Sequence, residues 1–407
     1  MFLDEACKKV AEKLKAHNLC VNCLGRMFGK VGRGLTNIQR GEFVAAETGY
    51  RCAPAEKCEL CRGIFGRIEV YAKMAVEALN SVEWNTFLVG SRFDEEILAT
   101  EERIVIEAGA EKAESLKVEF NREVGKRISG LTRKSVDFSE PDCVVILDTR
   151  FDEAILEVNP LFLFGRYRKF SREIPQTRWL CKACRGKGCK RCDGKGKMYE
   201  TSVQELIAAK VMDATGGKDH FFHGMGREDI DVRMLGNGRP FILEIREPVK
   251  RNLDLKQLER EINLFANGLV EVEGLKIVSG KMVERLKEER ASKRYQAVVE
   301  FDSEVEPEKL QTAIMELREK DIYQKTPNRV LHRRSDRTRK RKIHDIELCW
   351  LRGNIAQLEI ECEAGTYVKE LVSGDGGRTT PSIAELTGVP CKVRTLDVIK
   401  INDFLEE

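Results

Sequence analysis

At 407 residues the chain is too long for one compact core, so two or three domains are expected. Its 70 basic and 67 acidic residues leave a net charge of only +3, so any bias toward nucleic acid has to be read from where charges lie. No run approaches the roughly 20 apolar residues that span a bilayer. The opening "MFLDEACKKVAEKLKAHN" lacks a signal-like apolar block, so the chain reads as soluble and cytoplasmic, with 14 cysteines serving as metal ligands or packing residues rather than disulfides.

Cys7, Val10, Ala11 and Leu14 fall on one face of a first helix. It leads into "NLCVNCLGRMFG" and, after a polar stretch, "EKCELCRG". Cys20-x-x-Cys23 and Cys58-x-x-Cys61 are two knuckles separated by a domain-scale loop. Four thiolates suit tetrahedral zinc, and closing that loop would help a small module fold, so a structural zinc is expected there. A helical pattern follows from Ile68 to Leu79, then a strand-like "WNTFLVGSRF". A second helix is carried by Ala113, Leu116, Phe120, Val124 and Ile128, and the buried-strand pattern "CVVILD" completes a small α/β module.

From Phe164 to Lys197 the chain turns basic, glycine-bearing and nearly free of acids, reading as a long functional loop or a domain junction. Within it Cys181, Cys184, Cys189 and Cys192 form a compressed second quartet. Its "CRGKG" and "CDGKG" arms resemble chaperone zinc knuckles, whose glycines let the backbone turn around the metal, but the four residues between the two pairs are short for a single site, so it is the less secure of two metal sites. Cys7, Cys52, Cys143, Cys349, Cys362 and Cys391 are expected to be packing residues. After Thr201 helices and strands alternate. Asp254 is placed to cap a helix ending near Gly268, and "YQAVVEF" and "IAQLEIEC" alternate as strands do. A second basic loop, "NRVLHRRSDRTRKRKIHD", runs from Asn328 to Asp345. Two separate basic loops in a near-neutral protein imply a polyanionic partner.

Between these loops lies "GMGREDIDVRMLGNGRPF", Gly224 to Phe241, where charges alternate with Ile230, Val232 and Leu235 ahead of a strand-like "FILEI". Charges beside a packed strand must be paired, so the stretch is a candidate site. "GRED" with the following Ile230, Asp231, Val232 resembles the G-R-T-D-A-G-V motif of TruA-like pseudouridine synthases, which places the catalytic carboxylate at Asp229. A second register, Asp231 with Gly236, mimics the D-x-x-x-x-G spacing of other synthase groups. Asp229 is preferred because Arg227 and Val232 match as well. "AGTYVKELV", Ala364 to Val372, resembles the G-T-Y motif of TruB-like synthases, and Tyr295 opens a strand as the base-stacking tyrosine of that superfamily does.

Together with "RYRKFSREIPQTRW" and "QKTPNRVLHRR", these motifs make the chain similar, over essentially its full length, to the archaeal tRNA pseudouridine synthases of the Pus-ten type. That resemblance implies an α+β protein: a zinc-binding module over residues 1–76, a THUMP-like RNA-binding domain over 77–166, and a synthase domain over 167–407 with a central antiparallel sheet flanked by helices. It implies isomerisation of uridines 54 and 55 in the tRNA T loop, with both basic loops gripping the arm. The reaction needs an ionised carboxylate beside the ribose, a pocket for the detached base and an acceptor for the C5 proton, and no organic cofactor. Lys369 is expected to pair with Asp229, with Arg227 in reserve. Tyr295 would stack on the flipped base, and Tyr367 would floor the pocket.

The partner implied is tRNA, with no membrane and no obligate protein partner. Two other readings stay open: a THUMP-bearing RNA methyltransferase or thiolation enzyme, for which "MLGNGRP" offers only a weak glycine signal, and a non-enzymatic zinc-ribbon RNA-binding protein.

Overall fold

The computed structural model describes residues 3–403, and its contacts divide the chain into two units: Met1–Pro160 with Glu247–Asn252, and Leu161–Arg246 with Leu253–Glu407. Among the described residues no helix is long and apolar enough to cross a membrane.

In the first unit, Asp4 caps the helix Glu5–Leu14 by accepting from Cys7 N at 2.7 Å, and the expected face buries Cys7, Ala11 and Leu14. Helices Val21–Arg26 and Asn37–Thr48 cross at two glycines. A Cβ on Gly25 would stand 1.7 Å from Asn37 O, and one on Gly41 1.8 Å from Val21 O, so no larger residue fits either position. Helices Ile68–Leu79 and Leu116–Thr132 pack on a sheet ordered Ser135–Val136, Thr86–Arg92, Cys143–Asp148, Glu153–Val158, parallel until its last, antiparallel pair. The helix Glu95–Ala108 is not anticipated by the sequence reading. Asp94 caps it, but its many acids dilute the apolar period, and Ile106 stays 70% exposed. One continuous core joins Cys20, Cys23, Cys58 and Cys61 to Tyr71, Phe87 and Phe120.

The second unit is built on eight strands. Their order is Ile343–Arg352, Ile355–Cys362, Ser292–Phe301, Cys391–Asn402, Arg233–Arg246, Leu161–Lys169, Val270–Val278, with Asp219–Gly224 also paired to Arg233–Arg246. Because Leu161–Lys169 belongs wholly to this sheet, the unit starts ahead of the 166/167 boundary that the resemblance implies. Every pairing is antiparallel except that of Cys391–Asn402 with Arg233–Arg246, which is parallel and spans only Asp397↔Arg233 and Val398↔Met234. The sheet expected to be antiparallel is therefore a mixed one, two antiparallel halves meeting at a short parallel seam.

Side chains hold the seam where the ladder is short. Buried Asp397 accepts from Arg233 at 2.6 and 3.0 Å and from Arg172 at 2.6 Å. Asn237 exchanges two hydrogen bonds with the Ile401 backbone, at 2.7 and 3.0 Å. At Gly236 a Cβ would lie 1.7 Å from Ile399 O, so the two backbones meet there only because that side chain is a hydrogen. Asp254 caps Leu255–Ala266 as expected, accepting from Gln257 N at 2.9 Å, and the helix ends in two left-handed residues, Asn267 and Gly268. The second basic stretch is not an open loop: its strand Thr338–Arg341 pairs with Ile322–Lys325, which pairs with Thr379–Thr380.

Candidate active site and cysteine clusters

The turn from Gly226 to Val232 feeds the strand Arg233–Arg246 on the seam, and a buried lysine fixes its backbone. Lys169, 0% exposed, donates to Ile174 O at 3.1 Å, Asp229 O at 3.3 Å and Ile230 O at 2.8 Å. Burial pulls its pKa down to about 8. Arg172 adds bonds to Asp231 O at 2.7 Å and Leu396 O at 2.9 Å, tying the turn to the neighbouring strand. Glu228, also buried, accepts from the Tyr167 hydroxyl at 2.9 Å and lies 2.8 Å from Arg239 Nε. Burial is the largest single influence and alone would lower the Arg239 guanidinium pKa, but Glu228, Tyr167 and Tyr295 together outweigh it and raise it. The charges of this stretch are paired, as their position beside a packed strand demands.

With its backbone held, Asp229 lines a cavity of about 250 Å³, near the small end of ligand pockets, together with Arg239, Lys293, Tyr295, Arg329 and Tyr367. Asp229 Oδ2 accepts from Arg329 Nη1 at 2.7 Å, while Lys369 Nζ lies 3.7 Å away. Lys369 makes its shorter contacts, 2.7 and 2.9 Å, with Asp231. The expected Lys369–Asp229 pair is thus the longer of two. Arg329, from the basic stretch, is the close partner, and buried Glu370 aims it with contacts of 2.7 and 3.4 Å. Burial is the largest single influence and would raise the Asp231 carboxyl, but the hydrogen bond and charge of Lys369, with the charge of Arg329 and a backbone hydrogen bond, together hold it below its ordinary pKa.

Asp231 lies outside the main cavity, in an adjoining hollow of about 230 Å³ with Trp179, Arg227 and Lys369. Arg227 lines both spaces and sits over the Trp179 ring at 5.1 Å. Tyr295, on the strand Ser292–Phe301, has its phenol pKa raised chiefly by burial, which keeps the hydroxyl neutral. Lys293 on the same strand is pulled down to about 8 by burial and then by Arg239. Tyr367 is clamped by buried Gln324, which accepts from its N–H at 2.9 Å and donates to its carbonyl at 3.0 Å; the Tyr367 hydroxyl accepts from Arg334 at 3.0 Å. A carboxylate held by two cations, beside a partly buried phenol, suits a substrate that is both anionic and planar.

Sequence reasoning therefore brings Asp229, Arg227, Tyr295, Tyr367 and Lys369 to one cleft, and misses Arg329, Lys169 and Gln324. Arg329 was hidden in a run read as phosphate-binding. Lys169 and Gln324 act on backbone groups, which leaves no spacing signature. "MLGNGRP" lies inside the strand Arg233–Arg246 and opens no helix, so it is not a nucleotide-binding loop.

Both cysteine quartets come together, the ligand atoms of each lying within 4.8 Å of one another. In the first, Cys20 N donates to Cys58 Sγ at 3.3 Å and Arg26 Nη2 to Cys23 Sγ at 3.7 Å. In the second, Gly196 N donates to Cys192 Sγ at 3.2 Å. Four convergent sulfurs receiving N–H donors fit a thiolate-bound metal at each place. Of the unclustered cysteines, Cys7, Cys143, Cys362 and Cys391 are buried, but Cys52 and Cys349 are exposed and are not packing residues.

The family pattern described as "Pus10, C-terminal" matches residues 162–402, and "Pus10 THUMP domain, archaeal" matches residues 71–148. The tRNA pseudouridine synthase Pus10 of Methanopyrus kandleri is 41% identical, covering 98% of both chains. That of Methanothermobacter marburgensis is 44% identical over 95% of both. A solved Cbf5–Nop10–Gar1 complex is similar at 16% identity and a TM-score of 0.33, covering 58% of this chain and 48% of that one. On the strength of the sequence matches, this chain belongs to the Pus10 family of tRNA pseudouridine synthases.

Proposed function

We propose that the chain isomerises uridines 54 and 55 of the tRNA T loop to pseudouridine in the cytoplasm, with Asp229 as the catalytic carboxylate acting on a flipped nucleotide. The observation that carries this reading is the placement of Asp229: its carboxylate lines the cavity and is held by Arg329 at 2.7 Å, whereas Asp231 lies outside and is occupied by Lys369. The N-glycosidic bond breaks beside this carboxylate, the uracil turns within the cavity, and a bond forms from ribose to C5, which releases its proton while the freed N1 takes one up, so that the product is an isomer of the substrate. Arg329 offsets the charge of Asp229 next to the phosphates of the substrate. Tyr295 stacks on the detached base, a contact worth ~1–3 kcal/mol, and its neutral hydroxyl relays the C5 proton. Tyr367 floors the pocket, and Arg227 and Lys369 bind the substrate at its rim.

Residues 1–76 serve as a metal-binding module, and the THUMP-like part that follows helps hold tRNA, ahead of the synthase domain. Zinc in the first quartet would be held by Cys20, Cys23, Cys58 and Cys61, and in the second by Cys181, Cys184, Cys189 and Cys192; in both it supplies structure rather than chemistry. The test is incubation with a tRNA transcript radiolabelled in uridine, with no added cofactor. Asp229→Asn should abolish pseudouridine while leaving tRNA affinity nearly intact, and Asp231→Asn should cost less. A dead Asp231→Asn beside an active Asp229→Asn would overturn the assignment.

A further inference from the structure

The second cysteine cluster adjoins the cleft. Its stem pairs Leu180 with Lys197, with Cys181 N donating to Gly196 O at 2.8 Å and Met198 N to Trp179 O at 2.9 Å. Trp179 ends that stem. Its ring meets Tyr199 edge-on at 5.5 Å and carries the Arg227 guanidinium at 5.1 Å. Arg227 stands two residues before Asp229 and lines the same cavity.

Beyond the stem, the ribbon has almost nothing of its own to hold its shape. Between Cys181 and Lys197 the buried side chains are those of Cys181 and Cys192. Gly186, Gly188, Gly194 and Gly196 all take positive φ, and the arms touch backbone to backbone: a Cβ on Gly196 would lie 2.4 Å from Gly186 O. Lys182, Arg185, Lys187, Lys190, Arg191 and Lys195 are exposed and face a lone acid, Asp193. A cationic, glycine-bent ribbon without an apolar core keeps one conformation only if something replaces that core, and four convergent sulfurs are the group that can.

We propose that the Cys181–Cys192 cluster, loaded with a thiophilic divalent metal such as zinc, is a positioning element for catalysis: it locks the stem that carries Trp179, and Trp179 sets Arg227 at the mouth of the cleft beside Asp229. This rests on the pseudouridine synthase reading and adds to it a dependence of turnover on the second metal. In this arrangement Trp179 and the cysteines are positioning residues, acting on the substrate only through Arg227.

The experiment uses the full chain with its metals. Cys184→Ser and Cys189→Ser, at the two partly exposed ligands, should each lower the metal content from two ions per chain to one while the thermal unfolding midpoint stays within a few degrees of wild type. Single-turnover pseudouridine formation on a tRNA transcript should fall about 10–100-fold, the scale seen when groups that orient a functional residue are lost. Trp179→Ala should slow turnover as much with both metals retained, and Trp179→Phe should restore most of the rate. Because the cysteines and Trp179 act in series, Cys184→Ser/Trp179→Ala should be no slower than either single variant. Trp179 fluorescence, taken as the difference between wild type and Trp179→Phe, should shift when the second metal is removed.

Loss of one metal with wild-type turnover, multiplicative effects in the double variant, or an unchanged Trp179 signal would each overturn the proposal. A wild-type protein that forms no pseudouridine would instead sink the underlying reading. Turnover by wild type and by the cysteine variants alike sinks this inference alone.

Discussion

Replacing Lys169 by methionine removes the ammonium that pins the catalytic turn while keeping a chain of similar length. Three carbonyls lose their donor, and each buried polar group left unpaired costs about 1–3 kcal/mol. Against that stands relief of a buried charge. The fall in pKa from an ordinary 10.5 to about 8 corresponds to about 3 kcal/mol disfavouring the ammonium. At neutral pH the variant should therefore be destabilised by a few kcal/mol, and the distinctive signature lies in the pH dependence. Between pH 8 and 10.5 the unfolded chain keeps a proton at this position that the folded chain has released. Unfolding then takes up protons, so this group stabilises the fold increasingly as pH rises, and contributes no pH dependence below about pH 8. Lys293, also near 8, adds the same trend in both proteins and cancels in the comparison. Urea unfolding at about pH 7 and about pH 9.5 should show the gap between wild type and Lys169→Met widening by about 2 kcal/mol at the higher pH. Turnover at neutral pH should fall about 10²-fold, because a displacement of Asp229 by an ångström is enough for that. A gap that is the same at both pH values would refute the buried, shifted ammonium and with it the pinning argument.

Cys58→Ser or Cys61→Ser should remove a structural metal, unfold part of the first unit and weaken tRNA binding, because metal binding there is folding energy; protein purified without chelator and found free of zinc would refute it. Glu370→Gln keeps the shape behind Arg329 but removes the charge that aims it. As Arg329 is partly exposed, the effect should be about 1 kcal/mol, near fivefold in the single-turnover rate, and an unchanged rate would show that Arg329 orients itself. The triple replacement of Arg337, Arg339 and Arg341 by alanine should flatten the log–log salt dependence of tRNA binding by roughly two to three units if each contacts one phosphate. A wild-type slope would leave that strand without a gripping role.

What could be read from the sequence was what leaves a pattern in side chains along one segment. The helices Ile68–Leu79 and Leu116–Thr132 have clear apolar periods, Asp254 caps where its spacing says it should, and both quartets carry ligand spacing. The cleft residues were found because three separate motifs each hold part of it. What stayed hidden depends on segments meeting in space. Arg329 reaches Asp229 across 100 positions of sequence, and Gln324 reaches Tyr367 across 43. The parallel seam is equally invisible, since a strand with alternating side chains reads the same whichever way its neighbour runs.

The place of Cys391–Asn402 in the sheet has a consequence for how the protein comes into being. This strand is made after every strand it touches, yet it lies in the middle, between Ser292–Phe301 and Arg233–Arg246. Until it leaves the ribosome, two half-sheets wait with open edges, and the cleft lacks the wall formed by Leu396 and Val398. A message cut short before codon 391 therefore yields a chain carrying Asp229, Arg329 and Tyr367 but no assembled cleft, and one whose bare edges mark it for proteolysis. Only a chain translated through that strand can close the sheet and complete the cleft wall around Asp229, so the site is assembled after the rest of the sheet has been made.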